Sequence, residues 1–180
     1  LSKQERVKFL IKKSVLLILP AQKFNEEEYL IITNALERAD IKIFIASDSY
    51  SLCIGSNGLK VKNDVQLYNI HESNFAGLIL IGGSGMRNYW NDPVIQSTAQ
   101  KFSISKKPIG AICSAPIILA KAGILSECAT CHSDDRKELE KQGVDYKDAP
   151  VVIQKNIITA QNPAAAPEFI KTFLYELAKN

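Results

Sequence analysis

Short unbroken apolar runs, each followed by a stretch of helical spacing, recur through this chain and leave few folds open to it. Val15 to Leu19, Ile41 to Ala46, Ala76 to Ile81 and Ile109 to Cys113 are the clearest of these runs. A strand with one face in water alternates apolar and polar residues, so these runs predict strands buried on both faces. Asn25 to Ala39 and Val94 to Phe102 have helical spacing, as does Ala115 to Ala122, which Gly123 stops. Asp135 to Gln142 predicts a further helix, and Val151 to Gln154 and Ile157 to Thr159 predict two more strands. Pro167 starts a closing helix with Phe169, Ile170, Phe173, Leu174 and Leu177 on its inner face. Ser51 to Ile54 and Leu59 to Val61, either side of Gly55-Ser56-Asn57-Gly58, read as a β-hairpin.

Strands of this kind alternating with helices predict a doubly wound α/β sandwich with a mostly parallel sheet, flavodoxin-like in type, plus the small hairpin. In such folds the chemistry gathers beyond the carboxyl ends of the strands. The expected organisation is an N-terminal extension over residues 1–13 and a single domain over 14–180, with no repeat or linker. At 46% hydrophobic and 23% charged residues, the chain has a globular composition. No apolar run approaches the ~20 residues that span a bilayer, so no membrane partner is expected. The net charge of +3 comes from scattered lysines rather than a basic stripe with interleaved aromatics, which argues against nucleic acid. Leu1-Ser2-Lys3-Gln4-Glu5-Arg6 is too charged for a signal peptide. Four irregularly spaced cysteines make no disulfide framework, and a cytoplasmic setting is expected.

Cys113 stands where the run from Ile109 turns into a helix, between Gly110, Ala111, Ser114 and Ala115, which are small enough for a tight corner. A thiol at such a corner meets free helix N–H groups, which favour thiolate, as in a nucleophile elbow written with sulfur. The alternative is a small apolar core residue. Asn25-x-x-Glu28 reads as a capping box, with Phe24 and Tyr29 as its hydrophobic staple. Gly82-Gly83 ends the third run as a turn, and Met86, Tyr89 and Trp90 beyond it suit a core, a dimer seam or a pocket wall equally.

Taken together, these segments resemble the ThiJ/PfpI family of the class I glutamine amidotransferase-like superfamily, from about Ser14 to Leu177. Ala111-Ile112-Cys113-Ser114-Ala115-Pro116 matches its A-I-C-x-x-P elbow, and Leu80-Ile81-Gly82-Gly83 its L-P-G-G turn, with Ile81 in place of proline. Phe24 through Glu28 and Arg38-Ala39-Asp40-Ile41-Lys42-Ile43 match the first-helix segment and the entry to the second strand. The resemblance implies that Cys113 is a nucleophile, that the Glu28 carboxyl hydrogen-bonds its sulfur, and that the N–H groups of Gly83 and Ser114 form an oxyanion hole. It also implies a homodimer.

Peptidase-named members carry histidine directly after the cysteine and an acidic residue shortly after the glycine pair. Here those places hold Ser114 and the basic stretch Ser84-Gly85-Met86-Arg87, so that dyad is absent. Ala129-Thr130-Cys131-His132-Ser133 instead resembles the T-x-H-P segment of the deglycase and glyoxalase III branch, which makes His132 a candidate proton shuttle. His71 reads as an exposed helix start. Cys128-Ala129-Thr130-Cys131-His132 also spells C-x-x-C-H, the haem-attachment pattern, but the one methionine and one other histidine leave little choice of axial ligand. A redox pair of Cys128 and Cys131 depends on backbone geometry. A zinc site lacks a second ligand pair. The expectation is therefore a cofactor-free, cysteine-dependent enzyme acting on α-oxoaldehydes or their early glycation adducts. The alternatives are an intracellular cysteine peptidase and an oxidative-stress sensor or chaperone with an oxidisable cysteine.

Overall fold

The structure is a computed structural model and describes residues 1–6 and 14–180. Residues 7–13 of the expected extension lie outside the described residues. The sheet is built on β1 (Ser14–Ile18), β3 (Lys42–Ser47), β6 (Val65–Gln66), β7 (Gly77–Leu80), β8 (Ile109–Ile112), β11 (Val151–Gln154) and β12 (Ile157–Ala160). Its strand order is β11-β12-β8-β7-β1-β3-β6, with every neighbouring pair parallel except β11 with β12. Chain order runs outward from β1 on one side to β3 and on the other through β7, β8 and β12. The direction of winding therefore reverses between β1 and β7, and the crevice beyond their carboxyl ends is where such sheets bind ligands.

The unbroken apolar runs follow from this layering. Successive side chains of a strand point to opposite faces. In β1, Leu16 and Ile18 join one core cluster while Val15 and Leu17 join the other. Helices α2 (Pro93–Ile104), α3 (Pro116–Lys121) and α4 (Arg136–Lys141) supply Ile95, Phe102, Ile117 and Leu139 to the first cluster. Helices α1 (Glu26–Arg38) and α5 (Ala166–Ala178) supply Ile32, Leu36, Phe169 and Phe173 to the second. Phe169 and Phe173 are fully buried, which stabilises α5 against the sheet by roughly 1.5–3 kcal/mol each.

The expected hairpin is present as β4 (Leu52–Gly55) paired antiparallel with β5 (Lys60–Lys62). It extends to three strands because β2 (Gln22–Phe24) pairs parallel with β4. Strand β2, the edge strand β6, and the pair β9 (Cys128–Ala129) with β10 (Asp145–Tyr146) have no counterpart in the sequence reading. Two or three residues are too few to show a period. The helix after Cys113 begins at Pro116, with Cys113, Ser114 and Ala115 forming a turn before it. Among the described residues no helix is long and apolar enough to cross a membrane.

Candidate active site

Cys113 has φ of 65°, the left-handed region that a β-carbon disfavours by about 1–2 kcal/mol. The surrounding chain holds it there. The Cys113 N–H donates to Ala160 O at 2.9 Å, and its carbonyl accepts from the His132 N–H at 2.7 Å. Ala115 N–H closes the turn onto Ile112 O at 3.1 Å. The Ser114 hydroxyl donates to Gly83 O at 2.8 Å, and Trp90 Nε1–H donates to Ser114 O at 2.8 Å. Three segments distant in sequence thus fix one sharp corner. Ser114 is fully buried, and its side chain ties the elbow to the glycine turn.

Glu28 reaches this corner because only half of the expected capping box forms. Asn25 caps α1, its Oδ1 accepting from Glu28 N–H at 3.0 Å, and the Phe24 and Tyr29 rings stack as a staple with centroids 5.5 Å apart. The returning arm of a box would run from the glutamate to the Asn25 N–H. That N–H instead donates to Gly82 O at 2.9 Å, and Glu28 Oε2 accepts from Gly82 N–H at 2.9 Å. The Gly82 peptide is therefore clamped on both sides by the start of α1. A β-carbon at Gly82 would lie 2.5 Å from Cys113 Cβ and 2.8 Å from Glu28 Oε2, so no larger residue fits between them. At Gly83, φ is 117° and a β-carbon would strike Lys23 O at 2.4 Å. Ile81, at the place of the usual proline, uses the N–H that proline lacks to donate to Ile18 O at 3.1 Å.

Glu28 is fully buried, and this desolvation pushes its carboxyl up to about 8 against the opposing pull of the Gly82 N–H and the Cys113 thiol. Burial likewise pushes the Cys113 thiol up to about 12, with the negative charge of an ionised Glu28 as the next cause; the N–H groups of Gly83 and Ser114 oppose both. The sequence reading expects a thiol favoured as thiolate by a helix end. What faces the sulfur is two turn amides and a carboxyl at a buried site, and the short α3 contributes little. The two acids titrate as a pair. Below about 8 the carboxyl holds its proton, and a protonated carboxyl beside sulfur is the state that supports thiolate. Glu28 Oε1 is buried and has no hydrogen-bond partner, which suits a carboxyl that keeps a proton.

Cys113, Glu28, Gly83 and Ser114 are thus brought together by side chain or backbone N–H. His132 adjoins Cys113 through its backbone. Its imidazole, about a third exposed, caps the 3-10 turn Ser133–Asp135, with Nδ1 accepting from Asp134 N–H at 3.2 Å. That contact keeps the proton of the neutral ring on Nε2. His71 is exposed at the start of the short turn Glu72–Asn74, away from these residues in the fold. Cys128 is half-buried and Cys131 buried, both as free thiols.

Three contributors have roles that sequence reasoning does not assign. Met86 is core, but Trp90 holds the elbow, and Tyr89 joins two loops at the strand ends. The Tyr89 hydroxyl donates to Asp48 Oδ1 at 2.7 Å and accepts from Ala21 N–H at 3.3 Å. Arg87 pairs with buried Asp135 through Nε at 2.8 Å and Nη2 at 3.1 Å. The partners of that ion pair are 48 residues apart, and no local pattern announces it.

The model of the DJ-1/PfpI family matches residues 13–176. The Glutathione-independent glyoxalase DJR-1.2 of Caenorhabditis elegans is 31% identical over 158 residues, covering 88% of this chain and 85% of that protein. A Bacillus subtilis relative with a provisional cysteine-protease name, YraA, is 31% identical over 148 residues, covering 81% and 88%. Among solved structures, the ThiJ/PfpI domain protein from Brachyspira murdochii superposes with a TM-score of 0.90 at 26% identity, covering 93% of this chain and 98% of that one.

Proposed function

Because the chain belongs to the DJ-1/PfpI family, we propose that it is a cysteine-dependent enzyme acting on α-oxoaldehydes or their early glycation adducts, with Cys113 as nucleophile. One observation carries this reading. A cysteine held at positive φ has its sulfur between two turn N–H groups and a buried carboxyl whose proton is retained up to about 8. That is an arrangement for adding sulfur to a carbonyl and holding the resulting oxyanion.

The Cys113 thiol gives up its proton to water as its sulfur adds to the aldehyde carbon, and the new alkoxide lies between the N–H groups of Gly83 and Ser114. Glu28 gives its proton to that oxygen, which completes the hemithioacetal. The carboxylate left behind is unusually basic because it is buried, and it removes the hydrogen from the same carbon. His132, with its proton on Nε2, hydrogen-bonds the neighbouring ketone oxygen. Return of the proton to the former ketone carbon gives the thioester of a 2-hydroxy acid, the hemithioacetal oxygen losing its proton as the ketone oxygen gains one. One carbon is oxidised as its neighbour is reduced, so no external oxidant is consumed. Water then hydrolyses the thioester and frees the thiol, and Glu28 takes back a proton from water. Ser114 disfavours the peptidase alternative, because the cysteine–histidine dyad needs an imidazole at that position.

The test is incubation with methylglyoxal and no added thiol, following loss of substrate and appearance of lactate. Wild type converts it and Cys113→Ala does not. If the two proteins behave alike at millimolar substrate, this function is wrong. Selective gain of two oxygens at Cys113 under mild peroxide, without turnover, would support the sensor reading instead.

A further inference from the structure

Arg87 is poised to bind an anion. A guanidinium offers five N–H donors along its edges. Asp135 takes one edge side-on, Oδ1 to Nε at 2.8 Å and Oδ2 to Nη2 at 3.1 Å. Nη1 and the second N–H of Nη2 form another fork, which that pair leaves open. Asp135 is 4% exposed whereas the Arg87 side chain is 34% exposed, so the held end lies inside and the group still reaches solvent.

Both partners hang from segments that fix the elbow. Arg87 lies in the turn Ser84–Tyr89 directly after Gly83, and Asp135 ends the turn that His132 caps. The charge of Arg87 acts on Cys113 as well as on Asp135 and the exposed Asp134. A planar fork fixed by a buried carboxylate matches a second, incoming carboxylate better than any neutral group. We infer that Arg87 forms a carboxylate subsite of the Cys113 pocket, selecting carbonyl compounds that carry a carboxylate further along their carbon chain. The inference deepens the function proposed above and rests on it for the reaction, though not for the binding.

The test compares 4,5-dioxopentanoate with its methyl ester. In the acid, the aldehyde carbon is oxidised, the ketone carbon reduced and one water taken up, giving 2-hydroxypentanedioate. Wild type is expected to favour the acid by about tenfold or more in kcat/KM. The preference falls toward one in Arg87→Met combined with Asp135→Asn, which leaves no buried carboxylate without its partner. It falls part way in Arg87→Lys, which keeps the charge and loses the fork. Both compounds are measured on each protein, so a general loss of activity cancels from the ratio. A wild-type ratio at or below one, or a ratio that both variants retain, overturns the subsite. If wild type turns over neither compound, the proposed function fails and binding decides the subsite. Trp90, the sole tryptophan, is hydrogen-bonded to the elbow and reports occupancy by its emission. A saturable change on adding 2-hydroxypentanedioate, weakened a few-fold in Arg87→Lys, upholds the subsite. No saturable change, or equal affinity in the two proteins, overturns it.

Discussion

Glu28→Gln isolates the buried proton on which the proposed chemistry depends. The amide has nearly the same shape, its oxygen can still accept from Gly82 N–H, and its nitrogen can still donate toward the Cys113 sulfur. What it cannot do is titrate. In the folded protein burial pushes the Glu28 carboxyl up to about 8, against 4.5 for the free group. Between those values the unfolded chain has lost a proton that the folded chain keeps, so stability falls as pH rises. The stabilising contribution is complete below 4.5 and is gone once pH has passed about 8. Each pKa unit corresponds to about 1.4 kcal/mol, so wild type should lose about 4 kcal/mol relative to Glu28→Gln between pH 5 and 8. Urea unfolding of both proteins at pH 5, 6, 7 and 8 measures this, because groups remote from the Glu28–Cys113 pair cancel in the difference. The unfolding free energy of the variant minus that of wild type should climb steadily with pH. A flat difference would falsify the assignment of a retained proton to Glu28, and with it the account of how the sulfur is activated.

Two further substitutions probe the corner itself. Ser114→Ala removes the hydroxyl that donates to Gly83 O and leaves that carbonyl with the Met86 N–H alone, at a cost of roughly 0.5–1.5 kcal/mol. Thermal unfolding should register the loss, and alkylation of Cys113 by iodoacetamide should change rate because the Gly83 N–H moves; an unchanged melting temperature and rate would mean that the clamp is idle. Gly82→Ala forces a β-carbon to within 2.5 Å of Cys113 Cβ and 2.7 Å of Ile112 O, so a destabilisation of about 1–3 kcal/mol or more is expected. Chemical denaturation tests this, and a variant as stable as wild type would show that the turn yields more easily than its packing implies.

Much of the fold is legible in the residues because its signals are local. Val15 to Leu19 is apolar at every position, since each strand feeds cores on both faces, and the helices carry their period along their own length. The elbow at Cys113 is legible for a related reason: small residues on both sides of a cysteine between a strand and a helix leave the chain little else to do. Elements such as β2, β6 and the β9–β10 pair are invisible in the same way that any two-residue pairing is. They exist because a neighbouring edge offers hydrogen bonds, not because their side chains repeat.

The site divides along the same line. Asn25-x-x-Glu28 is spelled as a cap, and local rules alone send the glutamate back to the Asn25 N–H. The fold places the Gly82 peptide there first, taking that N–H and offering its own, so the carboxyl is carried into the pocket beside the thiol. Proton affinity follows burial, and burial is a property of the assembled layers; hence the thiol, expected to be favoured as thiolate by a helix end, is buried beside the Glu28 carboxyl instead. Trp90 on Ser114 and Asp135 on Arg87 are likewise long-range pairs that no spacing foretells. The sequence by itself determined which of the longer segments become strands and helices and where the corner at Cys113 falls, because those depend on neighbours along the chain. Only the tertiary structure decided which groups face the sulfur and which of them keep a proton, because desolvation and hydrogen bonding depend on neighbours in space.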